Sequence, residues 1–132
     1  MQNSRIRFIL LPTLLMVSVA RCIKSPQSPA EHVAGTYTLV SVNNHALPTS
    51  VGPGGIDTVT AGTVTLKGDE TFSTLTTFQG ANVATSGTFT FDEHLLTFQE
   101  SGADGRTYVA SVFDNDLTVS IGTDSWLYHK TQ

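Results

Sequence analysis

The fold is decided by a five-residue pattern that occurs three times: Gly35-Thr36-Tyr37-Thr38-Leu39, Gly62-Thr63-Val64-Thr65-Leu66 and Gly87-Thr88-Phe89-Thr90-Phe91. In each copy large apolar residues alternate with threonines, which is the two-residue period of a strand that buries one face. Threonine is β-branched and favours extended backbone. Successive copies begin 27 and 25 residues apart, which leaves room for two strands in each repeat. The pattern predicts an antiparallel meander with a turn or bend at each glycine.

The segments outside the three copies continue the same alternation. Apolar residues alternate in residues 72–78, 96–98, 108–112, 117–121 and 125–130, and short polar or glycine-containing turns separate these segments. About eight short antiparallel strands are therefore expected. An open sheet of that length leaves two edges and one apolar face exposed, and closure removes both problems. We predict an all-β fold, an up-and-down meander closed into a small barrel; a two-sheet sandwich is the alternative, but it needs longer crossover connections.

Residues 47–55 differ in composition from the strands around them. They contain two prolines and three glycines, which is too many for a regular strand, so we predict a loop after the first strand. The glycines do not have a phosphate-binding spacing, and the stretch contains no lysine. Nucleotide binding is therefore not expected at this loop.

The beginning of the chain has the pattern of an export signal. Arg5 and Arg7 precede an apolar run over residues 8–20 that is too short to span a bilayer. Val19, Ala20 and Cys22 match a bacterial lipobox, whereas Arg21 departs from it. We predict a signal peptide over 1–21, a polar tether over 22–32 and a barrel domain over 33–132, with Cys22 as the lipidation site and membrane anchor.

The alternative is an ordinary cut after Ala20, which fits the small residues before it. It leaves a soluble exported protein with one free cysteine, whereas lipidation would consume that thiol. Under the first interpretation the protein belongs to the bacterial cell envelope, as an outer-membrane or periplasmic lipoprotein. Under the second it is secreted.

Composition excludes several classes of function. The chain has eleven acidic and seven basic residues, and three of the basic residues lie before Cys22. A surface of this charge does not favour nucleic acid. The four histidines are far apart in sequence, and Asp114-Asn115-Asp116 lacks the glycine and glutamate of a calcium loop. No nucleophile with a neighbouring base is recognisable. We therefore expect no enzyme activity, no metal and no cofactor.

The part after residue 32 resembles small bacterial lipocalin-like proteins of the calycin type, which are exported proteins or lipoproteins. The resemblance rests on residues 35–43, the long loop that follows, the series of hairpins and the closing Trp126-Leu127-Tyr128. Gly35 and Tyr37 match the lipocalin Gly-x-Trp pattern, with tyrosine in place of tryptophan. The resemblance implies ligand binding inside a barrel, with residues 43–55 as a lid over one end and Tyr37 beneath it.

Two functions stay open from the sequence. The first is binding of a small apolar or amphipathic molecule inside the barrel, with a void of roughly 300 Å³ or more. Its predicted lining consists of inward-facing side chains: Tyr37, Leu39, Phe72, Phe89, Phe91, Tyr108, Trp126 and Tyr128. The second is an envelope lipoprotein with a filled core, which acts in inhibitor-like protein contact or as a structural surface protein. Phe113, Leu95 and Leu127 face outward and would form its contact patch.

Two further expectations bear on both functions. Phe72, Phe89, Phe91, Phe98 and Trp126 are predicted to be buried together. Arg106, near the start of a strand, either closes the barrel end over an aromatic ring such as Trp126 or is solvated.

Overall fold

The computed structural model describes residues 28–132. The predicted signal peptide and Cys22 lie outside these residues, as does most of the predicted tether. The described chain contains one short helix, ten strands and a 3-10 turn. These elements are α1 Pro29–Val33, β1 Gly35–Val42, β2 His45–Ala46, β3 Thr49–Val51, the 3-10 turn Pro53–Gly55, β4 Asp57–Leu66, β5 Thr71–Phe78, β6 Ala81–Asp92, β7 Leu95–Glu100, β8 Thr107–Phe113, β9 Asp116–Ile121 and β10 Asp124–Lys130. Within this part of the chain no helix has the length and apolar character needed to cross a membrane.

Eight of the strands form a closed antiparallel barrel. From β4 to β10 each strand pairs with the next one along the chain, and β1 pairs with β10 on one side and with β4 on the other. The ring closes where residues 35–38 pair with residues 63–66. The predicted up-and-down barrel is confirmed. It forms because every long strand alternates apolar and polar residues, so that one face of the sheet is enclosed.

The loop after β1 is more ordered than predicted. The chain turns at Asn43 and Asn44, both with positive φ, and β2 then pairs with the end of β1. β3 pairs with the beginning of β4. Beyond the closing pairs, β1 and β4 therefore separate, and each has a short strand beside it. Strands of two and three residues are too short to produce a visible alternation, and the prolines and glycines lie just outside them.

The core is one cluster inside the barrel. Phe72, Phe89, Phe98 and Trp126 are buried, and Phe91 is half-buried and packed against the cluster near the end of β6. The rings of Phe72 and Phe98 meet edge to face with centroids 4.8 Å apart. The predicted common core therefore exists, with Phe91 at its margin.

Helix α1 packs against the barrel although it falls in the last residues of the predicted tether. Ala30 and Val33 are buried in the core cluster, and the Tyr37 hydroxyl donates a 2.7 Å hydrogen bond to the Val33 carbonyl. The Ser28 hydroxyl reaches the Gly68 carbonyl in the β4–β5 turn. The folded domain therefore includes residues before the predicted boundary at residue 33. We call this end of the barrel the base.

Two of the three repeated glycines lie within strands and form no turn. Gly62 is in β4, where an added Cβ would be 3.1 Å from the Leu39 side chain. Gly87 is in β6, where an added Cβ would collide with the Gln99 carbonyl oxygen on β7. These glycines provide room for close packing, while Gly35 begins β1.

Candidate ligand-binding site at the open end of the barrel

The end of the barrel opposite α1 is open, and we call it the mouth. The β1–β4 connection, the β5–β6 turn, the β7–β8 connection and the β9–β10 turn all lie at this end, because alternate strands run in opposite directions. Two adjoining cavities open here. Both are lined by Phe78, Arg106, Tyr108, Ile121 and Trp126.

The inner chamber lies inside the barrel and has a volume of about 130 Å³, which is smaller than the roughly 300 Å³ predicted for a ligand void inside the barrel. Its wall is mainly aromatic and aliphatic. The aromatic members are Phe78, Phe98, Tyr108, Trp126 and Tyr128. Polar side chains interrupt this wall, and they are Thr74, Thr76, Thr85, Glu100 and Arg106. The chamber therefore combines apolar surface with a small number of hydrogen-bonding groups, as small-molecule sites do.

The mouth groove continues from the chamber toward solvent and has a volume of about 710 Å³. Val51, Gly52 and Pro53 of the β1–β4 connection line one side of it. The predicted lid segment therefore does border a cavity. Tyr37 does not lie beneath it, because Tyr37 is near the start of β1 and hydrogen-bonds to α1 at the base.

Hydrogen bonds to Asp124 fix the β1–β4 connection at the mouth. One carboxylate oxygen of Asp124 accepts from Asn43 Nδ2 at 2.8 Å, and the other accepts from the Gly52 backbone N–H at 3.1 Å. Asn43 Oδ1 in turn accepts from the Ser125 N–H at 2.8 Å. The side of the groove formed by this connection is thus attached to the β9–β10 turn.

The predicted lining residues divide between the chamber and the core. Three of them, Tyr108, Trp126 and Tyr128, line the chamber. The other five pack nearer the base or on the wall away from the chamber; they are Tyr37, Leu39, Phe72, Phe89 and Phe91. Alternation along a strand indicates which side chains face inward, but it does not indicate their height in the barrel.

Of the two charged residues in the chamber lining, Arg106 was considered from the sequence for the end of the barrel, whereas Glu100 was not predicted. Glu100 follows the inward-facing Phe98 by two residues, and Arg106 precedes the inward-facing Tyr108 by two. The same alternation, extended to strand ends, indicates an inward position for both. For Glu100 this signal is weak, because charged residues at strand ends are usually solvated.

Glu100 and Arg106 form a two-point ion pair on the chamber wall. Arg106 Nε donates to Glu100 Oε2 at 3.1 Å and Nη2 donates to Oε1 at 3.0 Å. The Glu100 side chain is only 11% exposed, whereas that of Arg106 is 61% exposed. The hydrogen bond to Glu100 raises the pKa of Arg106. Arg106 is therefore not simply solvated, because its guanidinium is paired with the Glu100 carboxylate.

The two chamber tyrosines remain protonated at neutral pH. Burial raises the pKa of Tyr108 to about 12, with a further contribution from the Glu100 charge. Burial also raises the pKa of Tyr128 well above its usual value, and the neighbouring Tyr108 adds to this shift. Both hydroxyls can therefore donate hydrogen bonds into the site.

Trp126 contributes a buried donor with no acceptor. Its indole Nε1 is enclosed, and no residue in 28–132 accepts a hydrogen bond from it. A buried polar group without a partner costs roughly 1–3 kcal/mol. Trp126 lines both cavities, so an acceptor brought into the site lies next to this ring.

These tyrosines predict a loss of stability at alkaline pH. Because their pKa values are raised above the unfolded value of about 10, the neutral form favours the folded state. The free energy of unfolding should be unaffected below about pH 10 and should fall as the pH rises toward about 12. Urea titrations between these limits should show a shallower fall for Tyr128→Phe than for the wild type. If the free energy of unfolding fell equally with pH in the two proteins, the contribution assigned to buried Tyr128 would be wrong.

The described residues contain no metal-binding cluster of the usual kind. Within 28–132, no three His, Cys, Asp or Glu side chains are grouped closely enough to hold an ion. The chemistry available at the mouth is therefore that of hydrogen bonds, one ion pair and apolar contact.

Comparisons with known proteins do not identify a function for this chain. No family model and no curated protein matches the chain. A solved structure described as "REP1-NXSQ fatty acid transporter" is similar to it, with 14% sequence identity and a TM-score of 0.43 over 78% of this chain and 98% of that chain. A likeness this distant carries no argument about the ligand, so function is argued from the chamber and the groove.

Proposed function

We propose that the barrel binds a small apolar or amphipathic molecule at its mouth. The observation that carries the proposal is the aromatic chamber of about 130 Å³ that adjoins the mouth groove of about 710 Å³. A dry protein cavity of about 150 Å³ holds a benzene molecule. The chamber thus has the size of one ring, and the groove has the size of the remainder of a small ligand.

The packing of the barrel supports a site at the mouth and none at the base. Near the base Tyr37, Leu66, Phe72 and Phe89 are almost fully buried in the core cluster. The interior is therefore filled over part of its height and open over the rest. A ligand bound in the open part would contact Trp126, which makes its fluorescence a direct reporter.

Trp126 is the only tryptophan in the chain, so binding should change a single emission signal. We expect a saturable change when an uncharged aromatic probe such as N-phenyl-1-naphthylamine is added. Thr76→Phe should abolish it, because this side chain faces the chamber and the larger ring would fill it. Thr77→Phe is the matched control, since Thr77 is the next residue of β5 and does not line either cavity.

Circular dichroism of both variants should show that they are folded. A folded protein that gives no saturable response to a panel of apolar and aromatic probes would overturn the proposal. Equal binding by the two variants would place the ligand elsewhere. The filled-core alternative, a protein-contact or structural role, would then be favoured. Of its predicted patch, Phe113 and Leu95 are exposed and Leu127 is half-buried.

We also propose that the barrel is exported and attached to a bacterial membrane through Cys22. The support is the apolar segment before Cys22 and the single cysteine itself. The arrangement suits the binding proposal, because the described chain enters the barrel through α1 at the base. A tether that joins α1 leaves the mouth, at the opposite end, free for a ligand.

Mass spectrometry of the mature N-terminus tests this anchor. We expect Cys22 as the first residue, carrying a lipid, and we expect the protein in the membrane fraction of a bacterial host. Cys22→Ser should move the protein to the soluble fraction. An unmodified chain that begins at Arg21 would show that the protein is released after an ordinary signal cut.

A further inference from the structure

We propose that the ligand is a ring compound with a hydrogen-bond acceptor and without a carboxylate, and that Glu100 excludes carboxylates from the site by neutralising Arg106. This inference rests on the proposed function and specifies the class of ligand. It follows from the charges and the hydrogen-bond donors that line the chamber and the groove.

The charge balance of the site disfavours an anionic ligand. Arg106 is the one lysine or arginine on the wall of either cavity, and Glu100 holds its guanidinium through two hydrogen bonds. Asp57 and Asp124 also line the groove. Three carboxylates thus face one cation. A carboxylate entering the site would lose hydration, meet like charge and find no unpaired cation.

The position of Glu100 keeps its carboxylate paired with Arg106. Its side chain is 11% exposed, and it projects inward from the last residue of β7. Moving it away to release Arg106 would leave a largely enclosed carboxylate without its partner. The pair therefore acts as a neutral unit on the chamber wall.

The remaining polar groups favour an acceptor on the ligand. Tyr128 and Tyr108 carry hydroxyls that remain protonated at neutral pH. Thr74 and Thr85 already share a 2.6 Å hydrogen bond. A carbonyl or ether oxygen could accept from these hydroxyls, whereas a carboxylate would meet the negative charges of Glu100, Asp57 and Asp124.

The size of the chamber limits the buried part of the ligand to one ring. Its volume of about 130 Å³ is close to that of a cavity that accepts benzene, about 150 Å³. Ring compounds of nearly equal shape and different charge therefore test the inference directly. Acetophenone is the neutral acceptor, ethylbenzene lacks the acceptor, benzoate is the anion and benzylammonium is the cation.

The experiment is a titration of the purified ¹⁵N-labelled protein at neutral pH, followed by NMR. Trp126 gives a single indole N–H resonance, because the chain has no other tryptophan. We expect acetophenone to shift this resonance and to bind at least about tenfold more tightly than benzoate. Benzylammonium, which the three carboxylates attract, should also bind more tightly than benzoate. Ethylbenzene should bind more weakly than acetophenone, because it has no acceptor for the tyrosine hydroxyls.

Two variants test the roles of the named residues. Glu100→Gln leaves the charge of Arg106 uncompensated, so the affinity for benzoate should rise by about tenfold or more relative to that for acetophenone. Glu93→Gln is the matched control, because Glu93 lies in the β6–β7 turn at the base. Tyr128→Phe keeps an aromatic ring but removes a hydroxyl donor from the chamber wall, and it should reduce the preference for acetophenone over ethylbenzene.

The outcomes separate the inference from the proposed function. Binding of benzoate by the wild-type protein as tightly as acetophenone or benzylammonium would overturn the inference while the proposed function stands. An unchanged affinity for benzoate in folded Glu100→Gln would overturn the role of Glu100. If none of the four compounds, nor the probes of the fluorescence experiment, binds to the folded protein, the proposed function itself fails. The order in which the four compounds bind to the wild-type protein needs no variant. It therefore decides the ligand class even if a substitution prevents folding.

Discussion

Replacing Phe89 with alanine should lower the free energy of unfolding by about 3–5 kcal/mol. Phe89 is 2% exposed and packs in the core cluster, with its ring centroid 6.1 Å from that of Phe98. Removing the ring takes away apolar contacts and leaves a cavity that the surrounding strands cannot fill. A loss of this size is a large part of the stability of a domain of about one hundred residues.

Urea denaturation followed by circular dichroism measures this effect, and Phe113→Ala is the control. Phe113 ends β8 and is 62% exposed, so its truncation should change the free energy of unfolding by less than about 1 kcal/mol. A loss below about 1 kcal/mol for Phe89→Ala would contradict its place in the core. Comparable losses of unfolding free energy for the two variants would mean that the inward-facing and outward-facing residues of the barrel have been assigned incorrectly.

Strand alternation in the sequence was enough to predict the barrel. The three repeated segments became β1, the second half of β4 and the second half of β6, and their apolar residues face the interior. This prediction succeeds because a side chain's face depends only on its odd or even position in a strand. Closure then follows from the need to cover that face and both edges.

The position of the site could not be predicted in the same way. Tyr37 and Tyr128 both face inward, yet Tyr37 bonds to α1 at the base while Tyr128 lines the chamber. The difference between them is height along the barrel, which depends on strand stagger and on which end is filled. Helix α1 contributes to filling the base with two small side chains, Ala30 and Val33. The segment is too short and too polar for its sequence to predict a buried helix.

The polar lining shows a second limit of the sequence analysis. A glutamate at the end of β7 and an arginine before β8 are ordinary surface residues by composition, and each is separated from its partner by a turn. Only the folded hairpin brings Arg106 within 3.0 Å of Glu100 and turns the pair toward the chamber. Their role depends on a pairing that no local pattern encodes.

The second large effect is expected at Gly87, where a single methyl group would disturb the β6–β7 pairing. Gly87 pairs with Glu100, and a Cβ at this position would collide with the Gln99 carbonyl oxygen and lie 2.9 Å from the Gln99 carbonyl carbon. These are backbone atoms, so rotation of a side chain cannot relieve the contact. Gly87→Ala should therefore lower the free energy of unfolding by at least about 2 kcal/mol.

Gly68→Ala is the matched control, because its new methyl group would meet a side chain instead of backbone. The Cβ would lie 2.9 Å from Cγ of Glu31, which is exposed and can rotate away. The expected change is within about 1 kcal/mol, and it includes a favourable part from the reduced freedom of the unfolded chain. Gly87→Ala should also alter ligand binding, because moving the end of β7 displaces Glu100 from Arg106. Equal stability of the two variants would show that β7 can shift without cost, and the rigid placement of Glu100 on which the exclusion of carboxylates depends would then be wrong.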